Sequence, residues 1–355
     1  MGEFGMTQGL GASSEWRSAG ELRRIHAYRG AGDRMNAHWA DVREAASAVH
    51  IYGKKYVAAE SWTGGGFEAP AALQPIGDYW NTQGINRFIF HTSTHQPLDS
   101  KPGNAMVGAH FHRNITWAEQ ARPFMDYVAR NSYLLQQGQF VADIAYFLGE
   151  SIPSAVPYWK NLNPLPPEGY DYDFINTEIL LNHARVENGR LLLDSGMAYE
   201  VLVLPDSREM TPYVLEKIRQ LVADGATVIG PKPLRSPSLQ GYPAADEEVR
   251  TIARTLWGGC DGELIFHQPY GKGNIYWGIG LEGILTEKQV AKDLEYTRPH
   301  FDTKITWIHR RVGNTDLYFL ANQRDQQEAL RVRFRVSGKT PEIWNPEDGK
   351  VKAMS

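Results

Sequence analysis

Residues 199–231 constrain the fold more than any other stretch of this chain. Tyr199 to Leu204 is a run of nearly pure aliphatics. Thr211 then stands where a helix N-cap belongs, with Pro212 at the first helical position, where a missing N–H costs nothing. Val214, Leu215, Ile218, Leu221 and Val222 recur at helical spacing and define one apolar face. Gly225 ends the segment, and Ala226 to Ile229 is a second apolar run. A strand, an amphipathic helix and another strand in that order describe a βαβ unit. Its strands are parallel, and helices must cover its sheet. Residues 246–257 add a helix, and 263–267 and 272–278 add strands. Residues 151–298 therefore read as a doubly wound, flavodoxin-like α/β domain. It holds neither G-x-G-x-x-G nor a P-loop, which argues against nucleotide binding.

The same alternation runs through the N-terminal part. Residues 34–50 read as a helix capped by Asp33, with Trp39, Val42, Ala46 and Val49 on one face. Tyr56 to Glu60 is a short strand. A helix is predicted from Ala71 to Thr82, stopped by Gly84, and a second strand from Asn86 to Phe90. A longer helix is predicted over 116–137, kinked at Pro123 and closed by Gly138, before a strand from Phe140 to Leu148. Residues 21–150 thus read as part of a (β/α) barrel. A complete barrel takes about 250 residues and only roughly 145 precede the α/β layer, so it is expected to be half built. Open sheet edges invite association, so either the chain is part of a longer enzyme or a homo-oligomer covers them.

Ser151 to Asp173 reads as an irregular, proline-rich loop, followed by a short helix near 174–183. A hairpin then turns at Asn188-Gly189. From 299 to 355 the period becomes two: Ile305 to Val312, Leu317 to Asn322, Leu330 to Val336 and Glu342 to Trp344 read as antiparallel strands of a β-sandwich-like segment.

Composition narrows the partners. A net charge of −4 and a pI near 6.3 exclude a general nucleic-acid binder. No apolar stretch reaches the roughly 20 residues that span a bilayer. Cys260 is the sole cysteine and has no assigned role. Met1 to Gly5 looks vector-derived ahead of a second start at Met6, so residues 1–20 are set aside as leader. No secretory signal is seen, and location stays open. Ten Trp and seventeen Tyr favour a carbohydrate partner slightly, since rings with a polar handle suit sugar faces.

Two strand ends carry the chemistry. One delivers Glu60 into the loop Ser61-Trp62-Thr63-Gly64-Gly65-Gly66. The other leads from Phe90 into His91-Thr92-Ser93-Thr94-His95-Gln96. A carboxylate at the carboxyl end of a parallel strand is a common way for such folds to present an acid or base. Glu60 is therefore the first catalytic candidate, weighed against a simple ion pair. Asp173 or Asp171, in the Tyr-rich loop, is the candidate second carboxyl, weighed against loop-ordering turns. Trp62 is the candidate sugar-stacking platform. His91, His95, Gln96 and Tyr170 are candidate sugar contacts. His91 and His95 have zinc-like spacing, but that reading needs a helix, and His91 follows a strand. No metal ligand set is assigned.

Several ordered stretches resemble glycoside hydrolase family 106, the α-L-rhamnosidases. They include Ala45 to Lys54 running into Ala59-Glu60-Ser61-Trp62-Thr63, Gly84 to His91 with His95-Gln96-Pro97, and Asn114 to Gly138. Further ones are Gly169 to Asn176, Val201 to Pro205, Asp316 to Asn322 and Glu342 to Trp344. The resemblance implies a long, exo-acting, inverting hydrolase that uses calcium, built as a barrel, an α/β layer and β-domains. It would put Glu60 in the catalytic or the calcium-bearing carboxylate set. It also implies that the first barrel strands carry part of the site, and nothing before Leu22 reads as those strands. Two function classes follow: a glycosidase acting on terminal sugars, or a non-catalytic carbohydrate-binding or scaffold fragment of a longer one.

Overall fold

The strand Val201–Val203 lies inside a six-stranded sheet, fully buried on both faces. The computed structural model describes residues 34–62, 68–90, 93, 111–151, 156–324 and 326–354, with 34–38 as backbone only. Along the chain come α1 (Arg34–Ile51), β1 (Ala58–Ser61), α2 (Pro70–Thr82), β2 (Arg87–Phe90) and α3 (Arg122–Leu135). Next are β3 (Gln139–Phe140), β4 (Ile144–Phe147), β5 (Tyr172–Ile175), β6 (Ala184–Glu187), β7 (Arg190–Leu193), β8 (Ala198–Tyr199) and β9 (Val201–Val203). Then follow α4 (Pro212–Asp224), β10 (Thr227–Ile229), α5 (Ala244–Trp257), β11 (His267–Tyr270), β12 (Gly273–Tyr276) and α6 (Leu281–Glu287). The chain closes with β13 (Leu294–Tyr296), β14 (Ile305–Val312), β15 (Thr315–Asn322), β16 (Val332–Phe334), β17 (Glu342–Trp344) and β18 (Val351–Ala353).

The large sheet has the order β11-β12-β10-β9-β4-β5. All its pairings are parallel except β11 with β12 at one edge. Successive residues of each strand feed two cores. Ala145, Phe147, Leu202 and Val228 meet Val214, Ile218 and Leu221 of α4 and Val249, Ala253 and Trp257 of α5. Ile144, Tyr146, Val201, Val203 and Ile229 meet Leu281, Ile284 and Leu285 of α6 and Trp39 of α1. A parallel sheet covered on both faces explains the near-continuous apolar runs that mark its strands. At the carboxyl end of β4, Glu150 accepts hydrogen bonds from Thr211 N (2.8 Å) and Oγ1 (2.7 Å). The chain's own carboxylate thus takes the anion-attracting end of α4.

Two boundaries move. The strand at 144–147, predicted as part of the barrel, is hydrogen-bonded between β5 and β9, so a division at residue 150 cuts through the large sheet. The helix predicted near 174–183 begins instead as β5, with a π-helical turn only at Ile179–His183. Pro123 sits in the first turn of α3 rather than at a kink, because the helix starts at Arg122 and Pro fits where the first N–H groups have no intrahelical partner. The hairpin at Asn188-Gly189 forms as expected, with both residues at positive φ (51° and 74°).

The smaller layer comprises β1 and β2, paired in parallel, with α2, α3 and one face of α1 packed on one side. Among the described residues β1 and β2 pair only with each other, so no closed barrel is seen. The C-terminal strands are antiparallel but do not form a sandwich. The β14–β15 hairpin pairs with β3, β13 pairs with β16, and β17 pairs with β18, as separate small sheets. No described helix is long and apolar enough to cross a membrane.

Candidate active site

Glu60 is placed by the register of two parallel strands. Asn86 fixes that register from a fully buried position: its Oδ1 accepts from Val57 N (2.9 Å), and its Nδ2 donates to Lys55 O (3.0 Å). Ala58 then faces Arg87, and Glu60 faces Ile89. Alternation along the strands separates two faces. Ala59, Ser61, Phe88 and Phe90 point toward the helices, and Ala59, Phe88 and Phe90 join their apolar core. Glu60, Arg87 and Ile89 lie on the other face and are exposed. The carboxylate thus stands near the carboxyl end of a parallel pair, on the side away from the core. That is where a (β/α) enzyme keeps its reacting groups. β2 ends at Phe90 on the same side. His91, His95 and Gln96 themselves lie outside the described residues.

Trp62 does not serve as a stacking platform. Its side chain is completely buried, with ring centroids of Phe88, Phe90, Phe111 and Phe124 between 4.9 and 5.9 Å away. Its Nε1 donates to Leu73 O at 3.1 Å. A ring enclosed in this way has no face to offer a sugar.

Asp173 is likewise sealed. It is 1% exposed. Its Oδ1 lies 2.9 Å from both Ser47 Oγ and His50 Nδ1, and its Oδ2 accepts from Tyr199 Oη at 2.9 Å. Both oxygens are committed to the interior, so its geometry is that of a clamp and not of an acid or base that meets substrate. Asp171 pairs with Arg43 at 2.8 Å. Tyr170 is half-buried under α6, and its hydroxyl donates to Val290 O (2.7 Å). These contacts place Asp173 and Tyr170 against the large sheet.

No motif or spacing in the sequence singles out Asp78. This α2 residue accepts a 2.7 Å hydrogen bond from Tyr127 of α3, and burial pushes its carboxyl up to about 7. A carboxyl that titrates near neutrality marks a candidate functional group, although it sits between helices and not at a strand end. Among the described residues, no group of three or more His, Cys, Asp or Glu side chains is placed to hold a metal ion.

Known proteins resemble this chain over most of its length. A rhamnosidase from Novosphingobium sp. PP1Y superposes with a TM-score of 0.79 at 37% identity, covering 90% of this chain and 30% of that one. A glucuronidase-named protein of Formosa agariphila is 42% identical over 310 residues, which are 86% of this chain and 25% of the relative. Gan42B, a GH42 β-galactosidase, shares the fold alone, with a TM-score of 0.50 at 11% identity over 92% of this chain and 56% of that one. The chain thus spans less than a third of the length of the rhamnosidase and of the Formosa relative. A family model for α-L-rhamnosidases matches residues 24–355, and the chain belongs to that family, glycoside hydrolase family 106.

Proposed function

We propose that this chain is the portion of a glycoside hydrolase that presents one carboxyl of the active site, and that Glu60 is that carboxyl. The whole enzyme would remove terminal sugars of the rhamnoside type by acid/base hydrolysis. The single observation that carries the reading is the placement of Glu60: outward, near the carboxyl end of a parallel strand pair, in a chain of a glycosidase family. His91, His95 and Gln96, which follow β2 in the sequence, would serve as sugar contacts. We read β1 and β2 with their helices as part of a (β/α) barrel, and the large sheet as a flavodoxin-like layer. The order β5-β4-β9-β10-β12 of its parallel strands supports the latter.

Glycoside cleavage by this route needs two carboxyls, about 5 Å apart for retention and roughly 6.5–9.5 Å for inversion. With Asp173 sealed in the interior, the second carboxyl is not identified. That favours one rival reading, a non-catalytic scaffold portion of a longer glycosidase.

A panel of aryl glycosides separates the two. The purified chain is assayed with 4-nitrophenyl α-L-rhamnoside, β-D-glucuronide, β-D-galactoside and β-D-glucoside, alongside Glu60→Gln. Turnover of the rhamnoside that falls by about 10²-fold or more in the variant is expected, since an acid or base contributes that much. A folded chain inert on all four, or a variant as fast as wild type, rejects the assignment.

A further inference from the structure

We infer that Trp62 is the positioning residue for Glu60: its left-handed turn ends β1 and leaves Glu60 as the last outward side chain of that strand. The inference rests on reading Glu60 as a site carboxyl. In regular alternation Ala59 points in, Glu60 out, Ser61 in, and Trp62 out beside Glu60. Instead Ser61 and Trp62 are both buried, in succession. The backbone makes this possible with φ +58° at Trp62, a conformation that bulky residues avoid. Strain of this kind persists where the surroundings over-determine it, and it concentrates at functional sites.

Here the surroundings are specific. Leu73 O, in the first turn of α2, accepts the indole N–H at 3.1 Å. Gly77, one turn further on, leaves room for the ring: a Cβ there would lie 3.2 Å from Trp62 Cζ2. Phe88 and Phe90 of β2 and Phe124 of α3 close the remaining sides. Ser61 adds a local tie, with Oγ donating to Ala59 O at 2.9 Å. The turn is therefore held by three elements at once. Rotating the indole out would return an apolar side chain to Glu60's face and carry the strand on past residue 61.

Two substitutions in the full chain disturb this device without touching Glu60. Trp62→Phe keeps a ring but removes the N–H. Gly77→Ala crowds the indole from a helical position that Ala otherwise favours. Glutamate Cδ carbons are labelled with 13C, and the Glu60 resonance is identified by its absence in Glu60→Gln. Thermal unfolding and turnover of 4-nitrophenyl α-L-rhamnoside are followed in parallel. Both variants are expected to shift or broaden the Glu60 resonance. In both, kcat should fall about tenfold or more with little change in KM, because small misplacements of a reacting group are costly. Val42→Ala, a cut into the same apolar core from α1, should lower the unfolding temperature while leaving that resonance in place. A Glu60 resonance unmoved in both variants, or moved as far by Val42→Ala, overturns the inference. Should Trp62→Phe not fold, Gly77→Ala carries the test. If Glu60→Gln keeps its turnover while both variants displace the resonance, the catalytic reading of Glu60 fails and the positioning role stands.

Discussion

Asp78 shows how a single side chain ties stability to pH. Burial between α2 and α3 raises its carboxyl from an ordinary 3.8 to about 7. A raised folded-state pKa means that folding favours the protonated form. That contribution is complete below pH 3.8 and is lost as pH rises through about 7. Above that point the folded chain must hold a poorly solvated carboxylate. Asp78→Asn removes the burden while leaving an oxygen for the Tyr127 hydroxyl. We expect it to stabilise the chain on the order of 1–3 kcal/mol at about pH 8, allowing for partial exposure, and to have little effect below about pH 4. Urea unfolding at the two pH values checks this, and a gain that does not grow with pH counts against it. At the same scale, the placement of Glu60 near the end of β1 was legible in the sequence, because an acid that ends an apolar run is a local pattern. Trp62 was misread because its inward turn depends on Leu73, Gly77 and four phenylalanines distant in the chain.

At the scale of elements, α1 covers one edge of the large sheet. Among the described residues β5 is an edge strand, yet all four of its residues are buried. Arg43, Ser47 and His50, spaced along one side of α1, meet it. Arg43 donates to Tyr172 O (2.5 Å), Ser47 Oγ accepts from Phe174 N (3.0 Å), and Ser47 and His50 reach Asp173. Side chains thereby occupy edge groups that would otherwise invite another chain. This also explains why β5 escaped the sequence reading. Asp171 and Asp173 interrupt its apolar pattern, and the donors that neutralise them lie over a hundred residues earlier. β9, α4 and β10 were legible because cap, period and terminal glycine agree within one short stretch. Asp173→Asn should therefore act on stability, costing about 1–3 kcal/mol by urea unfolding, because it replaces the acceptor shared by Ser47, His50 and Tyr199. Loss of turnover at unchanged stability would restore a catalytic role to this carboxyl.

Across the whole molecule, the C-terminal strands are tied to the large sheet through charge. Arg335 pairs with Asp143 just before β4 (2.9 Å) and approaches Asp293 (3.6 Å). His309 lies between Asp293 and Asp316, with a carboxylate on each ring nitrogen (2.8 and 2.9 Å). Burial alone would raise Asp316, but Lys339, His309 and Arg311 hold it down to about 2. The large sheet is therefore covered on both faces, shielded at the β5 edge and linked to the C-terminal strands. The β1–β2 pair is different. Its outward face carries Ile89 at 38% exposure beside Glu60 and Arg87, and among the described residues no third strand joins it. A short parallel pair with an apolar residue on its open face gains by being covered, and covering it also draws water away from Glu60. We propose that a second copy of the chain does so. Native mass spectrometry should then show a dimer or larger assembly that Ile89→Lys dissociates, with the thermal midpoint becoming dependent on concentration in wild type alone. A strictly monomeric chain that still turns over substrate would refute the idea, since its active face would then be complete without a neighbour.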